Sequence, residues 1–135
     1  MAAGDRLRIV LADDHPQVLE EIRDLLNSEF DVVDVVDGGI KLVEAVERAR
    51  PDAVVSDITM PDLDGIQSAQ RILSGDTSTA IVMLTMHNDP HLLFRAIEVG
   101  IRGFILKVDA GEELIDAVRA ASLGATYVSR SIRTR

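Results

Sequence analysis

The sequence predicts an α/β fold in which five parallel strands alternate with five helices, a doubly wound (βα)5 domain. Three observations predict it. Five apolar runs rich in β-branched residues recur along the chain, the segments between them show helical spacing of apolar residues, and three runs are apolar almost without interruption. Uninterrupted runs are typical of strands buried on both faces of a parallel sheet. The length of 135 residues, 47% of them apolar, is enough for one domain with its own core.

The five predicted strands come first, because they determine which side chains meet. In chain order they are LRIVLA, DVVDVV, DAVVSD, TAIVMLT and RGFILK, which begin at Leu7, Asp31, Asp52, Thr79 and Arg102. The runs around Ile9, Val54 and Val82 are the nearly continuous ones. We expect these three strands to be buried on both faces.

A helical segment follows each predicted strand and carries one apolar stripe. The stripes are Val18, Leu19, Ile22, Leu25 and Leu26; Leu42, Val43, Val46 and Ala49; Ile66, Ala69, Ile72 and Leu73; Leu93, Ala96 and Ile97; and Leu114, Ala117, Val118 and Ala121. With right-handed crossovers, this alternation places helices on both faces of a sheet whose common strand order is 2-1-3-4-5. The first and third strands are then neighbours, and ligands bind at their carboxyl ends.

Three acidic residues meet at that edge of the predicted sheet. Asp13 and Asp14 follow the first strand, and Asp57 ends the third. Neighbouring strands lie about 4.8 Å apart, so the carboxylates repel one another unless some are protonated or a cation holds them together. A site made of oxygen ligands favours a hard ion, and we expect Mg²⁺. The alternative, that Asp13 caps the helix beginning near Pro16, explains one acidic residue but not three.

Other polar residues near this edge have structural interpretations. Asp64, directly before Gly65, is interpreted as the cap of the third helix. His15 and His87 lie near the site without needing a catalytic role, and His91 is interpreted as a surface residue.

Two further side chains belong to the predicted site, because Thr85 ends the fourth strand and Lys107 ends the fifth. Each residue alone would be an ordinary strand terminus. Together with the acidic residues they form a phosphate-sized group in which an ammonium, a hydroxyl and a metal neutralise a transferring phosphoryl group. A carboxylate can itself be the nucleophile and form an aspartyl phosphate. Asp57, alone at the centre, suits that role.

These motifs resemble the receiver domains of bacterial two-component response regulators, whose fold is flavodoxin-like, or CheY-like. The resemblance extends from Arg6 to about Ser129 and includes LADDHP, SDITMPDLDG, MLTMH and GFILK. The segments LADDHPQVLEEIRDLL and GEELIDAVRAASLGATYVS are particularly similar to receivers of the NarL/FixJ (LuxR-type) family, which usually precede a helix-turn-helix DNA-binding domain.

The resemblance implies a role for each site residue. Asp57 would accept phosphate from the phosphohistidine of a sensor histidine kinase. Lys107 would bind one phosphoryl oxygen, Thr85 would bind another on activation, and Phe104 would be the switch aromatic that moves with Thr85. The implied Mg²⁺ ligands are Asp13 (through a bound water), Asp14, Asp57 and the backbone carbonyl of Thr59.

The chain also departs from the family pattern. Met86 occupies a position that is often small and is expected to crowd the phosphoryl pocket, whereas Val108 stands where many receivers have proline. Phe104 lacks the hydroxyl of the tyrosine that is frequent at its position. We expect Thr59, Met86 and Asn88 to tune the rate of dephosphorylation.

We predict a receiver domain over residues 1–124 and a basic tail over residues 125–135. The tail contains three arginines and no acidic residue; we interpret it as a solvated end, or as the start of a linker to a DNA-binding domain outside this chain. Phosphorylation would control dimerisation, through helices 1 and 5 or through the face made by helix 4, strand 5 and helix 5, or control an attached output domain. A sensor kinase is the expected partner, and turnover of an external substrate is not expected.

Composition excludes several classes of function. A net charge of −9 disfavours nucleic-acid binding by the domain itself. No apolar run reaches membrane-spanning length, and the absence of cysteine fits a cytoplasmic location.

Three alternatives stay open at this point. A phosphohydrolase of the haloacid dehalogenase type would also form an aspartyl phosphate, but its DxD motif is missing after the first strand. An interaction module that works without phosphorylation would be expected to lose some of the five polar site residues. A flavodoxin-like flavin carrier is disfavoured, because no Gly-rich or Thr-rich phosphate loop follows the first strand.

Overall fold

The structure, a computed structural model, describes residues 6–75 and 78–133. Six strands form one sheet: β1 (Arg8–Ala12), β2 (Asp31–Val36), β3 (Ala53–Asp57), β4 (Ala80–Thr85), β5 (Gly103–Leu106) and β6 (Tyr127–Val128). Six helices accompany them: α1 (Pro16–Asn27), α2 (Gly39–Ala49), α3 (Gly65–Gly75), α4 (Pro90–Val99), α5 (Ala110–Ser122) and α6 (Arg130–Arg133). A short 3-10 helix, Lys107–Asp109, joins β5 to α5.

The strand order is β2-β1-β3-β4-β5-β6, and every pairing is parallel. The predicted order of the first five strands is therefore confirmed, and each predicted strand agrees with the observed one to within a residue at either end. The crossover from β2 over β1 to β3 places β1 beside β3, with Ala12 opposite Ser56. The carboxyl ends of these two strands meet at the edge where the acidic residues were predicted.

The core has two layers, one on each face of the sheet. Alternate residues of β1 illustrate the division, since Val10 belongs to the layer under α2, α3 and α4, whereas Ile9 and Leu11 belong to the layer under α1 and α5. Every residue of β3 and β4 is buried, as their uninterrupted apolar runs predicted. The predicted apolar stripes of the helices face these two layers, except that Ile97 of α4 is 45% exposed. The doubly wound architecture is confirmed.

The segment after α5 differs from the prediction of a solvated tail. Tyr127 pairs with Gly103 and Val128 with Phe104, which adds β6 to the edge of the sheet. Ser129 is fully buried and Ile132 is 6% exposed. A two-residue strand has too little periodicity to be recognised from sequence, and its position depends on the free edge of β5. Residues 134 and 135 of the predicted tail lie outside the described residues, and the boundary at residue 124 stays a prediction.

Within the described ranges, none of the helices combines the length and the apolar character that crossing a membrane requires.

Candidate functional site

The acidic residues lie together at the carboxyl edge of the sheet. Asp13 and Asp14 follow β1, and Asp57 ends the neighbouring strand β3. Asp13 is 1% exposed and Asp57 is 3% exposed, whereas Asp14 is exposed. The backbone of Asp13 is fixed by its N–H, which donates to the carbonyl of Val36 over 3.1 Å. Two of the three carboxylates are therefore held inside the fold, at the position that the strand order predicted.

Lys107 reaches these carboxylates from the end of β5. Its Nζ donates to Asp57 Oδ2 over 3.0 Å and lies 3.1 Å from Asp13 Oδ2, and its side chain is 9% exposed. The contact with Asp13 is an ion pair without hydrogen-bond geometry, because the buried Oδ2 of Asp13 has no hydrogen-bond partner. One ammonium thus bridges two buried carboxylates.

Burial raises the pKa of Asp57 above its usual value, although the hydrogen bond from Lys107 and the backbone N–H of Thr59 oppose this shift. Burial alone would lower the pKa of Lys107, but the hydrogen bond to Asp57 and the charge of the neighbouring Asp13 outweigh it and raise that pKa. Lys107 therefore stays charged, while the charge on Asp57 is retained at some energetic cost. A second cation at the site would reduce that cost.

Two local features fix the conformation of the loop that follows Asp57 at the end of β3. Asp64 Oδ1 accepts the N–H of Gln67 over 2.8 Å, and Gln67 Oε1 accepts the N–H of Asp64 over 3.1 Å, so the predicted cap of α3 is a reciprocal capping box. Gly65 N–H donates to the carbonyl of Ile58 over 2.8 Å, and a Cβ at Gly65 would lie 2.8 Å from the carbonyl oxygen of Asp57. Glycine is needed there because the loop folds back onto the end of β3.

Asp62, in the same loop, was missed by sequence reasoning. It has a φ of 65°, and its carboxylate accepts the N–H of Gly39 at the start of α2 over 2.9 Å. Hydrogen bonds from the backbone, chiefly that of Leu63, lower the pKa of Asp62. The side chain therefore ties the loop that carries the site to the first turn of α2. An aspartate in a turn-rich run was the available signal, but its partner lies 23 residues away.

Thr85 and Phe104 occupy neighbouring strands beside the acidic residues. The hydroxyl of Thr85 is fully buried and accepts the N–H of His87 over 3.1 Å, so it is engaged with its own loop in this structure. Phe104 is 2% exposed and pairs in register with Met83 of β4. Thr85 lies opposite Leu106, the residue before Lys107. The predicted switch residues are thus adjacent, with the aromatic ring inside the core.

The three residues expected to tune rates lie around this edge in different environments. Thr59 donates its N–H to Asp57 Oδ1 over 3.2 Å. The Oδ1 atom of Asn88 is buried without a hydrogen bond, whereas Met86 is 71% exposed and is not packed into the pocket as expected. Val108, at the position where many receivers have proline, is 86% exposed, and its peptide bond with Lys107 is trans.

His15 lies closer to the acidic residues than sequence reasoning indicated. Its Nδ1 is 3.1 Å from Asp13 Oδ1, 3.1 Å from Asp14 Oδ1 and 3.8 Å from Asp57 Oδ2. One ligand atom from each of these four residues lies within 4.8 Å of the others. The only available signal was the position of His15 directly after two acidic residues.

The acidic group fits a small divalent cation. An octahedral ion with bonds of about 2.1 Å has neighbouring ligand atoms about 3 Å apart and opposite ligand atoms about 4.2 Å apart. The distances from His15 Nδ1 to the three carboxylates, 3.1, 3.1 and 3.8 Å, lie in this range. The buried Oδ2 of Asp13, which lacks a hydrogen bond, is a further acceptor for positive charge. Oxygen donors predominate, as Mg²⁺ requires.

Comparison with known proteins agrees with this geometry. A family model described as the response regulator receiver domain matches residues 9–119. A transcriptional regulatory protein of Bacillus subtilis, YxjL, is 37% identical over 124 residues, which cover 89% of this chain and 56% of that protein. The chain spans 56% to 60% of the length of the first curated relatives that it matches.

Two solved structures have the same fold. A LuxR-family two-component response regulator from Aurantimonas has a TM-score of 0.91 at 30% identity, with 96% of this chain and 94% of that chain covered. The isolated receiver domain of RcsB from Salmonella enterica, in the presence of the phosphomimetic BeF₃⁻, has a TM-score of 0.87 at 28% identity, with 96% and 98% covered. These matches give no support to the phosphohydrolase alternative.

Proposed function

Because the chain belongs to the response regulator receiver family, we propose that Asp57 is the carboxylate that accepts the phosphoryl group in a two-component system. The observation that supports this most directly is Lys107 Nζ, 3.0 Å from Asp57 Oδ2 and 3.1 Å from Asp13 Oδ2. A buried ammonium between two carboxylates is placed to exchange one carboxylate contact for a phosphoryl oxygen. The positive charge of Lys107 also partly neutralises the Asp57 carboxylate before the phosphoryl group is transferred.

Transfer would begin when an Asp57 carboxylate oxygen attacks the phosphorus of a donor phosphohistidine. The O–P bond forms as the N–P bond breaks, and the leaving imidazole keeps the bonding electron pair and is protonated. Lys107 would donate to a phosphoryl oxygen, and Thr59 N–H, now 3.2 Å from Asp57 Oδ1, would hold the acceptor in place. The residues that would hold Mg²⁺ are Asp13, Asp14, Asp57 and the carbonyl of Thr59. The ion, when bound, supplies positive charge to the phosphoryl oxygens.

The switch proposed here uses Thr85 and Phe104. Thr85 would leave the backbone of His87, where its hydroxyl now accepts a hydrogen bond, and donate to a phosphoryl oxygen. Phe104 would then adjust to the space that Thr85 leaves, which changes the surface around β5. Thr59, Met86 and Asn88 would set the lifetime of the phosphorylated state through access of water to Asp57.

The partner proposed for the phosphorylation step is a sensor histidine kinase. The output would be dimerisation, through α1 and α5 or through the face formed by α4, β5 and α5, or control of a DNA-binding domain beyond residue 124. Contact with DNA would come only through such a domain, because the receiver is acidic. The chain would assist its own phosphorylation and dephosphorylation without turning over an external substrate, in a cytoplasmic system.

Mass spectrometry after incubation with acetyl phosphate and Mg²⁺ tests the acceptor. The native chain should gain the mass of one phosphoryl group, and Asp57→Asn should gain none. Asp64→Asn is the matched control, since Asp64 is a half-buried carboxylate in the adjoining loop that is hydrogen-bonded to Gln67; it should be labelled like the native chain. Labelling of Asp57→Asn to the native extent would exclude Asp57 as the acceptor.

A further inference from the structure

The ring of His15 contacts acidic residues and not the core, and its Nδ1 atom lies at hydrogen-bond distance, 3.1 Å, from Asp13 Oδ1. His15 is the N-cap residue of α1, but its ring makes no capping hydrogen bond. The ring is 61% exposed, so it contributes little to the core. Its Nδ1 atom nevertheless lies against Asp13 and Asp14, the two acidic residues that precede it.

A proton on Nδ1 does not account for both contacts. The two carboxylate oxygens, Asp13 Oδ1 and Asp14 Oδ1, are equally distant from Nδ1 at 3.1 Å. A single N–H can point well at only one of them, and sharing it between two acceptors gives poorer geometry to each. The Oδ1 atom of Asp13 already accepts the backbone N–H of His15 over 2.9 Å. Both distances from Nδ1 also equal the separation of neighbouring ligands around one ion with bonds of about 2.1 Å.

We propose that His15 Nδ1 is an additional ligand of the divalent ion at the acidic site, and that it gives this site a preference for first-row transition ions. The ion would be held by an imidazole nitrogen together with carboxylate oxygens of Asp13, Asp14 and Asp57. The Oδ2 atom of Asp13 is 3.1 Å from Lys107 Nζ, whereas its Oδ1 atom lies on the side of His15, so the ion would take the Oδ1 side of this buried carboxylate.

The chemistry of the nitrogen ligand determines the selectivity. Imidazole binds Co²⁺, Ni²⁺ and Zn²⁺ well, whereas Mg²⁺ prefers oxygen and keeps several of its waters. Loss of the ring should therefore weaken the binding of a transition ion while leaving that of Mg²⁺ almost unchanged. The inference depends on the metal-binding part of the proposed function, but experiment can distinguish the failure of the inference from the failure of the proposed function. If His15 is not a ligand, Mg²⁺ binding and labelling of Asp57 remain.

Isothermal titration of the chain with CoCl₂ and with MgCl₂ tests the inference. The variants are His15→Gln and, as a matched control, His91→Gln, which removes another exposed histidine near the start of α4. We expect His15→Gln to weaken Co²⁺ binding about tenfold or more and to change Mg²⁺ binding by less than about twofold. His91→Gln should match the native chain with both ions.

The visible absorption of bound Co²⁺ is the second measurement, because its bands differ between nitrogen-containing and all-oxygen ligand sets. The native spectrum should change in His15→Gln and not in His91→Gln. Equal weakening of Co²⁺ and Mg²⁺ in His15→Gln would mean that the ring only positions the carboxylates, and unchanged Co²⁺ affinity would mean that it does not touch the ion. Either result overturns the inference. If the native chain bound neither ion, the metal part of the proposed function would fail with it.

Discussion

Two buried carboxylates lie on either side of Lys107 in the chain, and their partners differ in kind. Asp57 is 3% exposed and its closest partner is the ammonium of Lys107 at 3.0 Å. Glu113, in the first turn of α5, is 4% exposed and accepts the hydroxyl of Tyr127 over 2.8 Å and the N–H of Arg130 over 3.2 Å. Burial is equal in the two places, so the partners decide what each carboxylate can do.

The donors to Glu113 belong to one segment of the fold. Tyr127 lies in β6, and Arg130 begins α6, so the carboxylate fastens the end of the described chain to α5. Asp57 has the ammonium of Lys107 as its main partner, and the pKa of Asp57 is raised by burial in spite of that contact. A carboxylate surrounded by fixed donors holds structure, whereas one with an incompletely compensated charge is suited to a change of ligand.

Ser129 connects the two regions. Its hydroxyl accepts the N–H of Leu106, the residue before Lys107, over 3.1 Å. The same hydroxyl lies 2.9 Å from Asp109 Oδ2 and 3.4 Å from Glu113 Oε2. The segment that follows α5 is therefore bonded to the strand end that positions the lysine of the candidate site.

The largest effect on stability is expected for Glu113→Ala. The substitution removes the acceptor for Tyr127 and Arg130 and leaves a small cavity under β6. A buried donor without a partner costs about 1–3 kcal/mol, and because these two donors are partly buried, we expect the free energy of unfolding to fall by about 2 kcal/mol. Urea unfolding followed by circular dichroism measures this difference.

The matched control for Glu113→Ala is Glu112→Ala, because Glu112 is the preceding residue of the same helical turn and is exposed. Its loss should cost no more than about 0.5 kcal/mol. Equal losses in the two variants would mean that the charge at the start of α5 matters, and not the bonds to β6 and α6. Glu113 would then not differ from Asp57 as a carboxylate whose hydrogen bonds hold the fold.

An intermediate effect is expected for Ser129→Ala, which tests the connection itself. The change leaves the N–H of Leu106 buried without its acceptor, so we expect a loss of about 1.5 kcal/mol. Ser74→Ala is the control, because Ser74 is exposed and its hydroxyl donates only within its own helix, to the carbonyl of Arg71; the change should cost no more than about 0.5 kcal/mol. Amide hydrogen exchange should show faster exchange at Leu106 in Ser129→Ala alone. Unchanged exchange there would show that the serine does not hold the end of β5.

The acidic region could be predicted from the sequence because each of its residues ends an apolar run. The strand order then brings together residues that are distant in the chain. The charges of Asp13, Asp57 and Lys107 indicate a site for a cation and a phosphoryl group. The hydrogen bonding of Thr85 could not be predicted, since it depends on how the loop to α4 turns back at His87. The closeness of His15 to the acidic residues was underestimated for the same reason. The spacing of residues in the sequence does not determine which way a side chain points at the start of a helix.

The region around Glu113 was not predicted, although part of its signal was present. Glu113 is four residues before Ala117 and three after Ala110, so it falls on the buried stripe of α5. A glutamate on such a stripe needs donors, and these come from residues 127–130, after a turn whose path the sequence does not specify. Helical spacing identifies the buried face, but only the tertiary fold identifies the partner.

The smallest effect, and the one of opposite sign, is expected for Asp57→Asn. The amide keeps the shape of the side chain and removes a charge that is costly to bury. The pKa of Asp57 is raised in the folded state, so ionisation favours unfolding, and we expect the variant to be more stable than the native chain near neutral pH, by less than the other two changes lower stability. Lys107 keeps its ion pair with Asp13 in the variant.

The pH dependence determines the sign of the difference in stability between the native chain and Asp57→Asn. Below the unfolded pKa of about 3.8, Asp57 is protonated in both states and contributes no difference. As the pH rises through the window between the unfolded and the raised folded pKa, the unfolded state releases its proton first, so the native chain loses stability relative to Asp57→Asn. Urea unfolding in EDTA at several pH values from about 4 to about 7 should show the gap opening and then staying constant. Mg²⁺ should reverse the order by stabilising the native chain more than the variant. If the variant were less stable than the native chain in EDTA, Asp57 would be, like Glu113, a carboxylate whose hydrogen bonds stabilise the fold.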